Sequence, residues 1–457
     1  EILRCLVGSE MCIRDSAYDG KYMAEVNMGY NGSENFAKGH RWGFFPSIAL
    51  GYNISEESFF EPLRKVITSM KLRGSWGLVG NDQIGGERFI YMPTINLSGK
   101  GFTTGIDQNY GLSGPVYTRY ENNSITWEVG EKINLGIDLQ LLNSLNIVVD
   151  IFRETRRDIF QKKGTIPTYL GTGNTDVFGN LAEMKNQGLD LSIDYNKAFS
   201  KDFYMNFKGT FTYAHNEITK YDEAPKYAFQ SKVGQSANVS QGYLSNGLFL
   251  DEAEIDRYNQ QMGSTLGAGD IKYLNVSNMH GYGDDIVDVD DWTWIGNPTV
   301  PEIVYGFGPS FKYKNWDFSF FFQGVAKTSL FMSGFHPFGD NSLRNVLQFV
   351  ANDRWSPTNQ NVDAKYPRLT RKTSLNNTNP GNSGRTSDYW MRDGSFLKLK
   401  NMELGYTFKR MRFYISGSNL LTFSKFDLWD PEQGGGSGLK YPTQRVFNVG
   451  FQMTFNN

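Results

Sequence analysis

The C-terminal segment alternates strictly between apolar and polar residues. On a strand over 445–455, one face would carry Val449, Phe451, Met453 and Phe455, and the other Asn448, Gly450, Gln452 and Thr454. Because side chains on a strand point alternately to opposite faces, one face is apolar and the other polar. Such a strand, with an aromatic residue almost at its end, predicts a β-barrel wall with lipid on one side and water on the other.

The composition supports strands rather than helices as the membrane-spanning elements. Aromatic residues make up 15% of the 457 residues, hydrophobic residues only 39%, and the mean hydropathy is -0.46. A transmembrane helix needs about 18 or more consecutive apolar residues, and the sequence contains no such run. The net charge of -2 provides no electrostatic footprint for nucleic acid.

Twelve segments are predicted to be strands. They are 21–30, 43–53, 68–80, 131–142, 145–155, 185–197, 201–214, 302–313, 316–326, 396–408, 412–422 and 445–455. In 396–408 the alternation slips by one residue near Asn401, which predicts a β-bulge.

Short turns alternate with long connections along these strands. The long connections are 81–130, 156–184, 215–301, 327–395 and 423–444. Short turns at one end and long, extracellular loops at the other are typical of outer-membrane barrels. Since plugged transporters have about 22 strands, we expect an all-β, antiparallel transmembrane barrel of which this chain is the C-terminal portion, about 12 of 22 strands.

The first sixteen residues do not fit this pattern. Leu6 to Ser16 resembles the translation of a sequencing-library adapter, so we interpret 1–16 as a non-native segment that pairs with no strand, and 17–457 as barrel. Both cysteines, Cys5 and Cys12, lie in this segment. The rest of the chain therefore offers no disulfide, zinc-thiolate site or cysteine nucleophile.

Several motifs in a fixed order resemble one family. They are Trp42-Gly-Phe-Phe-Pro-Ser-Ile-Ala-Leu-Gly-Tyr52, Leu72-Arg-Gly-Ser-Trp-Gly-Leu-Val-Gly-Asn81, Arg354-Trp-Ser-Pro-Thr358, Asp388-Tyr-Trp-Met-Arg-Asp-Gly-Ser-Phe-Leu-Lys-Leu-Lys-Asn401 and Tyr441-Pro-Thr-Gln-Arg445. From about residue 17 onwards, the chain resembles SusC/RagA-type TonB-dependent outer-membrane transporters.

The resemblance implies import of oligosaccharides or peptides across the outer membrane of a Gram-negative bacterium. It also implies two partners: a SusD-like surface lipoprotein that caps the barrel, and a TonB complex that supplies energy through an N-terminal region. That region, with the plug domain, is expected upstream of this chain. The chain itself is expected to be no enzyme and to have no catalytic residue.

An acidic run in the longest loop resembles the calcium-like loop that family members often carry. Its candidate ligands are Asp284, Asp285, Asp288 and Asp290, since calcium takes six to eight oxygen ligands. The alternative is a solvated acidic loop without metal. No other cofactor is predicted.

Aromatic residues in the predicted loops are candidates for stacking on a ligand. The candidates are Tyr110, Tyr117, Trp292, Trp294, Phe335 and Phe338. The alternative is that these rings pack the loops together.

Two rival functions remain open at this stage. A siderophore or other iron-chelate receptor would share the barrel, although the Trp42–Tyr52 and Asp388–Asn401 runs favour the SusC type. A soluble carbohydrate-binding or carbohydrate-cleaving β protein would instead need a core buried on both sides and, for cleavage, two facing carboxylates.

Overall fold

A computed structural model describes residues 6–455 except 85, 87, 168, 170–175, 259, 262–265, 283, 334–345 and 370–385. Within this range it leaves the side chains of 6–15, 100 and 260 undescribed. The candidates Phe335 and Phe338 lie outside the described residues.

The chain divides into two compact units. The first comprises 1–195, 213–224 and 232–236. Its strands are β1 (Leu6–Tyr18), β2 (Tyr22–Ser33), β3 (Trp42–Asn53), β4 (Ile67–Asn81), β5 (Thr94–Thr104), β6 (Tyr110–Arg119), β7 (Glu128–Leu141), β8 (Leu145–Lys162) and β9 (Phe178–Ala198).

The second unit comprises 196–212, 225–231 and 237–457. The strands that follow β9 are β10 (Phe203–Lys220), β11 (Ser240–Gly242), β12 (Ser245–Leu248), β13 (Gln260–Gln261), β14 (Ile271–Tyr273), β15 (Ile286–Val287), β16 (Thr293–Ile295), β17 (Ile303–Tyr313), β18 (Trp316–Ala326), β19 (Ser329–Phe331), β20 (Met391–Asp393), β21 (Phe396–Phe408), β22 (Met411–Ser424) and β23 (Val446–Met453). The short helices are α1 (Glu252–Ile255), α2 (Val276–Met279) and α3 (Gln348–Asn352).

Thirteen strands form one antiparallel sheet, which we call the wall. They are β1–β4, β7–β10, β17, β18 and β21–β23. All twelve predicted strands are present, with ends that shift by up to seven residues, as at the end of β8 and the start of β9. No helix in the described part of the chain is long and apolar enough to span a membrane.

The outward face of the first unit has the pattern of a lipid-facing surface. The Tyr22 and Tyr52 rings stack 5.1 Å apart near the short turns, and those of Tyr30 and Trp42 stack 4.9 Å apart towards the other end of the same strands. Between them lie the cross-strand pairs Val26↔Ile48 and Met28↔Pro46. Eight residue steps from Tyr22 to Tyr30 span about 27 Å along the strand, or about 21 Å of height at a tilt of about 40°. This is close to the height of the apolar band, about 25 Å, between two aromatic girdles.

The polar face of the first unit carries a shared ion pair. Arg73 Nη2 lies 2.8 Å from Asp138 Oδ1 and 3.0 Å from Asp150 Oδ2. The guanidinium passes over Gly136, where an added Cβ would lie 2.8 Å from Nη2. Glycine is therefore the residue that allows this arginine to reach two carboxylates on adjacent strands.

The second unit separates its faces in the same way. Cross-strand pairing aligns Phe318 with Leu404, and Leu404 with Ile415, on one face. On the other face Arg412 contacts both Asp317 and Glu403. The predicted alternation is thus confirmed in these strands.

The predicted bulge is confirmed, and the extra residue is Lys400. Phe321 pairs with Asn401, and the next residue, Phe322, pairs with Leu399. The register with β22 also shifts at this point, but there β22 has the extra residue, since it passes from Leu421 to Ser418 while β21 passes from Leu399 to Asn401.

The expectation that residues 1–16 pair with no strand is wrong for the described part of that segment. β1 pairs with β2 from Leu6↔Ser33 to Tyr18↔Tyr22. The turn between them has positive φ at Asp19 (52°) and Gly20 (65°), as a tight hairpin requires. Backbone hydrogen bonds need no particular side-chain pattern, so an exposed strand edge accepts a segment without alternation.

Candidate functional site: the loop cluster of the second unit

The long connections of the second unit share a hydrophobic core. We call the described parts of 237–301, 327–395 and 423–444 the loop cluster. Its fully or almost fully buried side chains include Tyr243, Leu248, Ile271, Tyr273, Val287, Leu330, Met332, Val350, Trp355, Tyr366, Trp390 and Phe426. Because these residues come from three separate connections, the loops fold against one another rather than extending singly.

A buried ion pair joins the connection 237–301 to the connection 327–395. Arg368 donates from Nε to Asp270 Oδ1 at 2.6 Å and from Nη2 to Oδ2 at 2.9 Å. The Asp270 side chain is 1% exposed, and its hydrogen bonds raise the pKa of Arg368. A two-pronged bond of this kind fixes orientation as well as distance.

Backbone contacts reinforce this junction. Leu248 N–H donates to Val362 O at 2.9 Å, and Tyr243 N–H donates to Thr386 O at 2.8 Å. Ser245 N–H donates to the Asp388 carboxylate at 2.7 Å. The segments on either side of the wall hairpin β17–β18 are therefore joined by both side chains and main chain.

A lysine clasp holds the third connection. Lys398 Nζ lies 2.8 Å from one oxygen of Glu432, Lys400 Nζ lies 2.6 Å from the other, and Lys398 also contacts Asp430. The Lys398 side chain is 1% exposed. Burial opposes ionisation of Asp430 and Glu432, but the lysines outweigh it and lower the pKa of both carboxyl groups. Two lysines that are two positions apart on β21 thus both reach one loop.

Three of the four predicted metal-binding aspartates have protein partners in this structure. Asp284 accepts from Asn275 Nδ2 at 3.1 Å and from Ile286 N–H at 3.2 Å. Asp288 accepts from Asp290 N–H at 2.8 Å, and Asp290 contacts Lys226. Asp285 is exposed.

A fifth aspartate organises the acidic run. Asp291 is fully buried and accepts at 2.9 Å from Ser277 N–H and at 2.9 Å from Asp288 N–H. Burial raises the pKa of Asp291 despite these donors. Among the described residues, no group of three or more acidic, histidine or cysteine side chains is arranged to hold a metal. Calcium binding here stays a prediction.

The two predicted tryptophans lie in the loop cluster and hold it together. The ring of Trp292 packs edge-on against Tyr243 at 6.0 Å. Trp294 Nε1 donates to Ser231 O at 2.9 Å. Both side chains are half-buried, so in this structure they support the surface around them.

The two predicted tyrosines lie in the first unit. Tyr110 and Tyr117 belong to the hairpin β5–β6, which forms a separate two-stranded sheet. Tyr110 is 64% exposed and Tyr117 47% exposed, and the Tyr117 ring stacks on Tyr120 at 5.6 Å.

A stack of four rings in the second unit was not predicted. Tyr227 and Phe229 lie parallel at 5.5 Å. Tyr282 packs on Tyr227 at 4.3 Å, and His280 stacks on Phe229 at 4.7 Å. The rings of each pair are two positions apart, but Phe229 lies in a 3-10 turn (Ala228–Gln230) and His280 and Tyr282 lie in the turn after α2, so the alternation of a strand did not reveal them.

The wall and its loops agree with known proteins. Residues 17–420 match the family described as TonB dependent receptor-like, beta-barrel. The chain therefore belongs to this family, whose members are outer-membrane receptors and transporters rather than enzymes. The predicted outer-membrane location and all-β barrel class are confirmed.

Relatives refine this assignment. The chain is 26% identical to TonB-dependent receptor P3 of Formosa agariphila, an alignment that covers 96% of this chain and 44% of that protein. It is 27% identical to TonB-dependent receptor SusC of Bacteroides thetaiotaomicron, covering 95% and 42%. The predicted resemblance to the SusC/RagA group is thereby confirmed.

A solved structure shares the fold. The RagAB peptide importer in its closed-closed state superimposes with a TM-score of 0.71 at 20% identity, covering 98% of this chain and 47% of that one. The chain thus spans less than half the length of these proteins.

Proposed function

We propose that this chain is part of a transporter that imports oligosaccharides or peptides through the outer membrane. A SusD-like lipoprotein would close the barrel mouth, and a TonB complex would supply energy through regions outside this chain. The observation that supports the proposal most directly is the loop cluster, because binding residues are concentrated on loops held by a rigid scaffold.

The acidic run fits the same role. If calcium binds at Asp284, Asp285, Asp288 and Asp290, it would stiffen the loop that presents this surface. Of these residues, only Asp285 has an exposed side chain, so metal binding would require the others to exchange protein partners for the ion.

The test uses the full-length parent receptor with the connection 327–395 shortened. We expect weaker co-purification of the lipoprotein or slower nutrient uptake, because Leu330, Met332 and Trp390 leave the shared core. Barrel assembly, measured as heat-modifiable migration, should persist because the wall strands are untouched. Uptake at the normal rate with the lipoprotein bound as before would contradict the proposal.

A further inference from the structure

We propose that the four-ring stack of Tyr227, Phe229, His280 and Tyr282, here called the aromatic platform, binds the flat face of a sugar ring in a neutral oligosaccharide. This inference rests on the proposed function and narrows its substrate class.

The platform presents aromatic surface to solvent. Its inner layer, Tyr227 and Phe229, is half-buried, with an angle of 12° between the rings. Its outer layer is exposed: Tyr282 is 49% exposed, and His280, at 15° to the Phe229 ring beneath it, is also exposed. Tyr282 is tilted by 35° to the Tyr227 ring, so the flat part of this surface is formed by His280 on Phe229, with Tyr282 as an inclined ring beside it.

Hydrogen bonds from below hold both layers in place. Gln230 Nε2 donates to Asp290 O at 3.0 Å and so fixes the inner layer. The outer layer sits on the turn after α2, where buried Asp291 binds Ser277 N–H at 2.9 Å. A surface that is already ordered loses little entropy when it binds a ligand.

Charged groups lie beside the rings. Lys226 Nζ is 5.2 Å from the centre of the Tyr227 ring, and Lys226 pairs with Asp290. An apolar face next to one donor and one acceptor suits a sugar ring, which has C–H groups on its face and hydroxyl groups at its rim. Because the two charges compensate each other, a neutral sugar fits better than a charged one.

The main chain favours a sugar over a peptide. An extended peptide brings an N–H and a C=O per residue, each of which needs a partner. The N–H groups of His280, Gly281 and Tyr282 already donate within their own turn, to Val276 O, Asn278 O and Ser277 O. The platform therefore offers rings and side-chain charges but no main-chain donor from this turn.

Size argues against a docking surface for a protein. A stable protein interface buries about 800 Å² on each partner, far more than the faces of two rings. One or two sugar rings match the exposed outer layer.

The test uses the purified full-length parent receptor, titrated calorimetrically with neutral hexasaccharides of α-1,4-glucose, β-1,3-glucose and β-1,4-xylose, and with a mixture of random hexapeptides. We expect at least one saccharide to bind. Tyr282→Ala and Phe229→Ala should each weaken its binding about tenfold, a loss of about 1.4 kcal/mol. Tyr282→Phe, which keeps the ring, should bind as the parent does.

Phe59→Ala is the matched control, since Phe59 is an exposed ring (67%) near the short turns of the first unit. Unchanged saccharide affinity in both platform variants would overturn sugar binding by the platform. A receptor that binds the peptides but no saccharide would overturn it as well. Neither result would contradict the proposed import function. A receptor that neither binds nor imports any probe overturns both the platform and the proposed function.

Discussion

The long connections of the two units are stabilised in different ways. In the second unit, three connections bury a shared core around Trp390, which is fully buried. In the first unit, the hairpin β5–β6 leaves Leu97 78% exposed, Phe102 72% exposed and Ile106 fully exposed. A two-stranded hairpin alone is marginally stable in water. In this chain the long connections acquire a buried core where other loops cover their apolar side chains, whereas the uncovered hairpin has only its own strand pairing.

The base of the hairpin is nevertheless anchored. Ile84, Ile90, Phe36 and Trp127 form a small buried cluster, and Asn122 N–H donates to Tyr91 O at 3.0 Å. The first unit therefore holds the two ends of this connection, and Asp176 N–H donates to Thr118 O at 2.9 Å near the base of the arm. Farther out, Leu97, Phe102 and Ile106 stay exposed.

The largest expected effect separates the two regions directly. Trp390→Ala should destabilise the loop cluster by about 3–5 kcal/mol, because it leaves a cavity in the shared core. Amide hydrogen exchange should accelerate in 271–273 and 350–366. Ile106→Ala at the hairpin tip is the control and should change stability by less than about 0.5 kcal/mol. Equal effects of both substitutions would show that the shared core does not distinguish the loop cluster from the hairpin.

Removing the buried ion pair should give the next largest effect. Arg368→Ala leaves Asp270 buried without its partner and should cost about 3 kcal/mol. Arg368→Lys should recover part of this loss, because lysine keeps the charge but not the two-pronged geometry. Limited proteolysis between 237 and 301 measures the effect.

Lys365→Ala is the control for that experiment. Its ammonium lies 3.8 Å from Asp353, and its side chain is 73% exposed, so little change is expected. If both variants were cleaved equally fast, the buried pair would not be what joins these connections.

A smaller effect should appear on acidification. The pKa of Asp430 and Glu432 is lowered in the folded protein from ordinary values of 3.8 and 4.5. A pKa that is lower in the folded protein means that folding stabilises the charged carboxylates. The clasp therefore contributes its full stabilisation above about pH 5, and this stabilisation is lost as the pH falls through the pKa values of the folded protein. Protection from hydrogen exchange in 426–436, measured against the intrinsic exchange rate at each pH, should therefore fall below about pH 4.

The hairpin supplies the internal reference for this experiment. Its only acidic residue in 94–119 is Asp107, so its exchange should follow the intrinsic pH dependence alone. Glu432→Gln should raise exchange in 426–436 already at pH 7. A variant that exchanges there as slowly as the parent would show that Glu432 does not hold this loop.

The smallest effect is expected from removing the hairpin arm. Replacing 94–119 with a short Gly-Ser linker should leave the stability of the wall unchanged within about 0.5 kcal/mol, since the arm forms a sheet of its own. Heat-modifiable migration measures wall stability. A marked loss of wall stability would mean that the hairpin supports the wall. The hairpin would then not be the less integrated of the two loop regions.

The wall was predictable because each strand carries its own pattern. Period-two alternation identified twelve strands, and a slip of that alternation predicted a bulge near Asn401, where the structure has Lys400 as the extra residue. β1 was missed because its segment shows no alternation, although Asp19-Gly20 is a strong hairpin signal. β5 and β6 were missed because their register shifts three times, between Thr94/Ile95, Asn96/Gly99 and Lys100/Thr103, which hides the period of two.

The loop cluster was not predictable to the same degree. Arg368 and Asp270 are 98 residues apart in sequence, and Asp388 and Ser245 are 143 apart. No local pattern encodes such partners, because both residues of a pair are ordinary polar side chains until the fold brings them together. Trp292 and Trp294 lie in a long connection between wall strands, as predicted. Their contribution to ligand binding remains a prediction.

The bulge at Lys400 has a consequence for length variation among relatives. Leu399 pairs with Phe322 and Met402 with Phe320, so both residues lie on one face although three positions separate them. If Lys400 were deleted, Leu399, Asn401 and Met402 would alternate as in an ordinary strand, and both apolar side chains would keep their face. A homologous chain that lacks position 400 would therefore pair with β18 without a bulge, but its mismatch with β22, which takes three steps from Leu421 to Ser418 where β21 takes two from Leu399 to Asn401, would grow by one residue. It would also lose one of the two ammonium groups that hold Glu432.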